Sequence, residues 1–316
     1  QDWPRKASLF AKQTISGNFF INLLGILGVS YIVKLYTAKI KILLNKNNPQ
    51  VTNPFNTVVG TSEAIRLFNI YKKSIHNLSN SDRDLNFKQW LSGLIDGDGS
   101  FLLSKKGYAS LEITMDIRDE HALQIIKNVY GGSIKLRSNA KALRYRLHHK
   151  SGILNIINDV NGHIRNPYRL AQLNKICIKY DINLIFPDKL TQDNGWLSGF
   201  FDSDGSISID ASSSWCLSIT AGQKTTELLT PLVNLYGGGV HIAHNSLFKW
   251  KVSKKEDVLK LIEYFKKHPS RSAKKNRLHL VPRFYELKSM KAHQAEAGTL
   301  LAKSWKIFIK NWMNYE

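Results

Sequence analysis

Residues Trp90 to Phe101 read Trp-Leu-Ser-Gly-Leu-Ile-Asp-Gly-Asp-Gly-Ser-Phe, and residues Trp196 to Ile207 read Trp-Leu-Ser-Gly-Phe-Phe-Asp-Ser-Asp-Gly-Ser-Ile. Eight of the twelve positions are identical at a constant offset of 106 (196 − 90). The offset persists into the flanks. Leu111, Ile113 and Thr114 answer to Leu217, Ile219 and Thr220, and Tyr130-Gly131-Gly132 answers to Tyr236-Gly237-Gly238. A chance match would not carry its flanks, so the chain contains one structural unit twice.

Hydrophobic periodicity gives that unit an outline. Apolar residues at Phe87, Leu91, Leu94 and Ile95 predict a helix over Phe87–Asp98 that stops at Gly99. Strands are expected at Phe101–Ser104 and Ser110–Asp116, and an amphipathic helix over Asp119–Val129 ends at Gly131-Gly132. Further strands follow at Ser133–Arg137 and Leu143–His148, then helices at Gly152–Asn158 and Leu170–Lys179. The order α-β-β-α-β-β-α recurs from Asn194 to about Tyr285, with Asp188–Asn194 as linker. The expected fold class is α+β, with an N-terminal extension over 1–85, a first domain over 86–190 and a second over 191–316 that includes a C-terminal tail. The extension is of a different character. Its apolar run, Phe19–Val33, is shorter than the roughly 20 residues of a membrane span, and Lys34, Lys39, Lys41 and Lys46 follow it. A targeting segment, a membrane-surface helix and a buried helix all remain open there; stable membrane insertion is not predicted. A polar loop with Pro49 and Pro54 and a short helix near Ser62–Ser74 complete it.

Glycine costs roughly 1 kcal/mol inside a helix relative to alanine, yet Gly93 and Gly97 lie four apart on one motif helix, and Gly199 and Ser203 hold the same places on the other. Small residues at this spacing strip one face bare, so the two helices are expected to pack on each other there. Asp98 and Asp204 then meet at the C-terminal ends of the helices, where the dipoles and their mutual repulsion both disfavour a negative charge. A cation relieves both problems, and oxygen ligands of this kind suit Mg2+ in the hydrolysis of a phosphodiester. Asp96 and Asp202, earlier on the helices, are expected to cap backbone amides instead.

The net charge of +21 favours a polyanionic partner, nucleic acid first. Lys135 and Arg137 alternate with apolar residues, as do Arg144, Arg146 and His148, and Lys249 and Lys251 in the second repeat. This places the basic residues on one sheet face in each repeat, suited to phosphates and base edges. The basic stretch Lys266–Arg277 is expected to be a solvated or phosphate-contacting segment. Two cysteines, Cys177 and Cys216, form neither a zinc site nor a disulfide framework.

The segments Leu91–Gly99 and Leu197–Gly205 resemble the two motifs of a single-chain LAGLIDADG homing endonuclease, over about residues 86–285. The chain is most similar to proteins of mitochondrial group I introns, some of which cut DNA, some of which assist RNA splicing and some of which do both. The resemblance implies a pseudo-twofold pair of αββαββα domains forming a β-saddle over double-stranded DNA, acting as a monomer in mitochondria. It implies hydrolysis of one phosphodiester per strand with 3′ overhangs, in service of intron homing. A maturase that binds group I intron RNA is the alternative. Asp98 and Asp204 would be the metal-binding acids, with the backbone carbonyls of Gly97 and Ser203 beside them. Gln223 occupies a place where the family often has a catalytic Gln, while Ile117 stands at the matching position of the first repeat. Arg165 and Arg271 lie near where a family Lys precedes the closing helix. Lys224 joins the strand residues as a DNA contact. These departures imply that the two sites are unequal.

Overall fold

In a computed structural model of the chain, residues 85–243 and 247–314 are described. The apolar run Phe19–Val33, the loop around Pro49 and Pro54 and the expected helix at Ser62–Ser74 lie outside them. The first repeat runs from helix α1 (85–98) through β1 (Gly99–Leu103), β2 (Ala109–Asp116), α2 (Glu120–Tyr130), β3 (Ser133–Leu136), β4 (Ala142–Leu147) and α3 (Lys150–Val160) to α4 (Pro167–Lys179). The second runs from α5 (Trp196–Asp204) through β5 (Gly205–Asp210), β6 (Cys216–Gln223), α6 (Thr230–Tyr236), β7 (Gly239–Ile242), β8 (Phe248–Val252) and α7 (Lys255–Lys267) to α8 (Lys275–Ser289). Each makes a four-stranded antiparallel sheet, ordered β1-β2-β4-β3 and β5-β6-β8-β7.

Period-two alternation decides which face of each sheet is covered. Leu111, Ile113, Tyr145 and Leu147 are fully buried under helices α2 to α4, whose Leu123, Ile126, Ile153, Ile156 and Ile176 join the same core. In the second repeat Leu217, Ile219, Trp250 and Val252 do the same with residues of α6, α7 and α8. The duplicated Gly-Gly pairs have one task. Gly132 (φ +90) and Gly238 (φ +76) sit in left-handed backbone against the carbonyls of Arg146 and Lys251, where a Cβ would come within 2.5 and 2.3 Å of oxygen. The preceding carbonyls of Gly131 and Gly237 accept matched bonds of 2.9 Å from the Tyr145 hydroxyl and the Trp250 indole.

Three elements differ from the sequence reading. Helix α4 starts three residues early, because Asn166 caps the Tyr168 amide at 3.0 Å and Pro167 takes the first turn, where its missing N–H costs nothing. The segment without helix or strand begins just after Lys179 rather than at Asp188; Asn161 clips it to the end of α3 through Asn183 and Ile185 at 2.8 Å each. The C-terminal tail is an ordered helix, α9 (Leu300–Met313), capped by Thr299. Trp305, Phe308 and Trp312, spaced for one helix face, bury it in the second core.

Candidate active site

The two repeats meet along the pairing of α1 with α5. A Cβ added at Gly199 would lie 1.7 Å from the Trp90 carbonyl oxygen, and one at Gly93 2.0 Å from that of Trp196. Backbone thus touches backbone, which glycine alone permits. Lower down, a Cβ on Gly97 would meet Ser203 Oγ at 2.0 Å and the Asp204 carboxylate at 2.5 Å. The four small residues expected at the helix contact therefore do face one another.

Above the acids, each half completes the other. The Trp90 indole donates to Asp202 at 2.8 Å, and the Trp196 indole to Asp96 at 2.7 Å. Asp96 also accepts the backbone N–H of Arg165 (2.7 Å) and Asn166 (3.1 Å). Asp202 accepts those of Arg271 (2.7 Å) and Ser272 (3.3 Å) and the hydroxyls of Ser270 and Ser272. Both are buried amide caps holding the loop before a closing helix. Burial pushes the Asp96 carboxyl up to about 7, against the pull of those donors.

Asp98 and Asp204 stand at the two helix ends. Burial first, and the neighbouring Asp204 charge second, push the Asp98 carboxyl up to about 7; burial pushes Asp204 up to about 6. Gln223 donates its amide to Asp204 at 2.7 Å. In the first repeat Ile117 lies in a short 3-10 turn, Ile117–Asp119, and is 45 % exposed, with Arg118 paired to Asp116 at 2.9 Å. Arg165 and Arg271 give their backbone amides to Asp96 and Asp202. The Arg165 guanidinium lies over the Trp196 ring and donates to the Asp188 carbonyl at 2.7 Å, while that of Arg271 lies over Phe87 and Trp90.

Two other cations take the place beside the acids. Lys274 Nζ donates to the carbonyls of Phe201, Asp202 and Ser203 at 3.0, 2.8 and 2.9 Å, and Arg169 donates to the Gly97 carbonyl at 3.1 Å. They neutralise the negative ends of the helices and draw both carboxyls down from where burial alone would put them. Burial in turn lowers the Lys274 ammonium below its ordinary range. The carbonyls of Gly97 and Ser203 are thus already accepting bonds, each with a second lone pair left. Asp119, at the head of α2, crosses to the other repeat and accepts the Ala273 N–H at 2.6 Å. With Asp98, Ser203, Lys274 and Arg277 it lines a cleft of about 390 Å³. Among the described residues no group of three or more His, Cys, Asp or Glu is placed to hold a metal ion. The groups that would hold a divalent cation here are the Asp98 and Asp204 carboxylates, with the Gly97 and Ser203 carbonyls beside them.

On the open sheet faces, Lys135, Arg137, Arg146 and His148 of the first repeat and Lys224, Lys249 and Lys251 of the second are exposed, and Arg144 is half-buried. The stretch Lys266–Arg277, expected to be solvated or phosphate-contacting, comprises the end of α7, the loop hung on Asp202 and the start of α8.

The two motif-bearing segments, residues 91–176 and 197–285, each match the LAGLIDADG endonuclease family model. The chain belongs to the LAGLIDADG endonuclease family. It is 38 % identical over 308 residues to the intron-encoded RNA maturase bI4 of Saccharomyces cerevisiae, covering 90 % of this chain and 48 % of that protein. It is 34 % identical to the probable intron-encoded endonuclease aI2 of Debaryomyces hansenii, covering 87 % of this chain and 43 % of the relative. The chain thus spans about half the length of these two relatives. The intron-encoded DNA endonuclease ai2b of Dictyostelium discoideum is 35 % identical over 71 % of this chain and 88 % of its own length. The fold is that of the LAGLIDADG meganuclease I-AabMI, solved bound to uncleaved DNA, with a TM-score of 0.52 and 24 % identity over 70 % of this chain and 97 % of that one.

Proposed function

We propose that this LAGLIDADG protein is a Mg2+-dependent, site-specific double-strand DNA endonuclease of intron homing that acts as a monomer in mitochondria. The observation that carries this reading is the convergence of Asp98 and Asp204 at the paired helix ends, flanked by Gln223, Lys274 and Arg169. The basic sheet faces would bind duplex phosphates and bring one scissile phosphate of each strand to each acid. Bound between the carboxylates, Mg2+ would supply Lewis-acid polarisation of the phosphate and a lowered pKa for attacking water. The chain's own part is positional. Asp98 and Asp204 hold the charge, Gln223 fixes one rotamer of Asp204 and offers its remaining amide atoms to water, and Lys274 and Arg169 add positive charge near the phosphate. The water oxygen would bond to phosphorus as the bond from phosphorus to the sugar oxygen breaks, with the water's proton given up to solvent and the leaving sugar oxygen taking a proton from solvent.

The first test incubates the protein and Mg2+ with DNA spanning an intron-insertion junction, either intact or interrupted by the intron. Cleavage of the uninterrupted duplex alone is the expected result. A protein that cuts neither fails the reading.

Because Gln223 has Ile117 as its counterpart, the two strands should respond differently to its loss. Gln223→Ala is expected to slow cutting of one strand about ten- to hundredfold, so that nicked duplex accumulates with the same strand always broken; equal slowing of both strands would count against the assignment. The raised carboxyls predict a further dependence. Near neutrality the cation-free site retains protons that a cation must expel, so apparent cation affinity should fall on acidification from about 7 to below 6, by up to about tenfold per pH unit per proton released. Calorimetric titration at several pH values reads this directly.

Similarity to a yeast RNA maturase favours one second reading, binding of group I intron RNA by the same basic chain. It requires neither acid. The double variant Asp98→Asn, Asp204→Asn should then still promote splicing, and loss of splicing in that variant would remove this reading.

A further inference from the structure

On the open, basic face of the first sheet one acid sits between the strand arginines; the other acid on that face, Asp116 at the end of β2, is paired with Arg118 beyond the strand. Glu112, on central strand β2, stands directly opposite Arg146 in the register and diagonal to Arg144, which faces Thr114. Its carboxylate is 2.7 Å from Arg146 Nε and 3.5 Å from an Arg144 terminal nitrogen. The Arg144 Nε beside it is buried with no hydrogen-bond partner. The second sheet lacks this arrangement. Lys251 faces Thr220 as Arg144 faces Thr114, but Ser218 stands at the position of Glu112 and bonds Ser208 at 3.4 Å.

A carboxylate here is costly for mere DNA affinity, since it repels phosphate and cancels one of the positive charges around it. What it does instead is hold an arginine. With Nε drawn to Glu112, the terminal nitrogens of Arg146 are left for whatever lies over the sheet, and its side chain is 49 % exposed. A planar guanidinium held in one orientation is the group best matched to the O6 and N7 acceptors of guanine in a major groove. Lysine, the basic residue at both open positions of β8, lacks that fork.

Resting on the endonuclease reading, we propose that Glu112 is a specificity-determining positioning residue: it orients Arg146 to read a guanine in the half-site under the first repeat, making that half-site the more stringently read at this position. The carboxylate gives up affinity to gain discrimination.

The test measures binding of wild type, Glu112→Gln and Arg146→Lys to a panel of duplexes carrying every single base-pair change across the cleaved junction, together with a duplex of unrelated sequence. For Glu112→Gln, discrimination at one G·C pair of one half-site should fall about tenfold or more, while affinity for unrelated DNA holds or rises and its salt dependence steepens. Arg146→Lys should relax the same pair with the salt dependence unchanged. The melting temperatures of both variants should match wild type, since the residues lie on an open face. An unchanged base-pair profile in Glu112→Gln, or losses spread evenly over both half-sites, would overturn the proposal. Wild-type protein with no preference among the duplexes would instead remove the endonuclease reading beneath it, so the two failures are distinct.

Discussion

Asp98→Asn is expected to lower the rate of DNA cleavage about a thousandfold or more, the loss of several kcal/mol of charge stabilisation at the phosphate, while duplex binding persists. Asp204→Asn should do the same. Cation-free stability should move the opposite way. The Asp98 carboxyl is pushed up to about 7 by burial and by Asp204. A carboxyl whose folded pKa exceeds its unfolded value stabilises the fold fully below the unfolded value, and that contribution is lost as pH rises through about 7. At pH 8 the wild type thus carries an unfavourable buried charge that asparagine lacks. In chelator, the variant should melt higher than wild type at pH 8, by a stability difference of about a few kcal/mol, and the gap should narrow at pH 5. Full cleavage by either variant would refute the assignment. Equal melting temperatures at pH 8 would refute the account of the charge.

Gly199→Ala is expected to produce the largest loss of stability of any single methyl added to the described fold. Its Cβ would lie 1.7 Å from the Trp90 carbonyl oxygen and 2.7 Å from the Leu94 amide nitrogen, both parts of a helix backbone that cannot step aside alone. Overpacking of this kind costs about 3 kcal/mol or more, about 6–12 °C in melting temperature for a domain of this size. Gly222→Ala is the control, since its nearest neighbour, a leucine methyl, would be 3.4 Å away, an ordinary contact. If the helices separate to admit the methyl, Asp98 and Asp204 move apart with them, and cleavage should fall with stability. A variant that melts like wild type would mean that the two helices do not pack as tightly as described.

Much of this architecture is visible in the chain because it is written locally. The strands around Ile113 and Tyr145 alternate, the motif helices bear glycines four apart, and the duplication marks Asp98 and Asp204 twice. What is not visible is what crosses between segments. Lys274, just before α8, and Arg169, in the first turn of α4, reach the motif-helix ends from about 70 residues away in sequence, and nothing in their own neighbourhoods distinguishes them from other surface cations. Arg165 and Arg271 stand out by position, but the sequence does not show that Asp96 and Asp202 hold their amides or that their guanidinium groups lie over the rings of Trp196, Phe87 and Trp90. Glu112 is hidden for another reason: a count of basic residues on the strands passes over the acid between them. The aromatic face of α9 is different again. Trp305, Phe308 and Trp312 have the spacing of a buried helix, and a search of the tail for periodicity would have found it.

The exchanged tryptophans bear on how such a protein can be taken apart. Each half leaves a buried carboxylate one donor short, and the missing indole comes from the other half. Recombining halves from different members of the family is therefore a question of compatibility at two indole–carboxylate pairs, as well as of matching the glycine faces. A hybrid that brings an aspartate without its foreign tryptophan would bury an acid lacking one of its partners close above Asp98 and Asp204. The halves are copies of one unit, but chemically they are not spare parts.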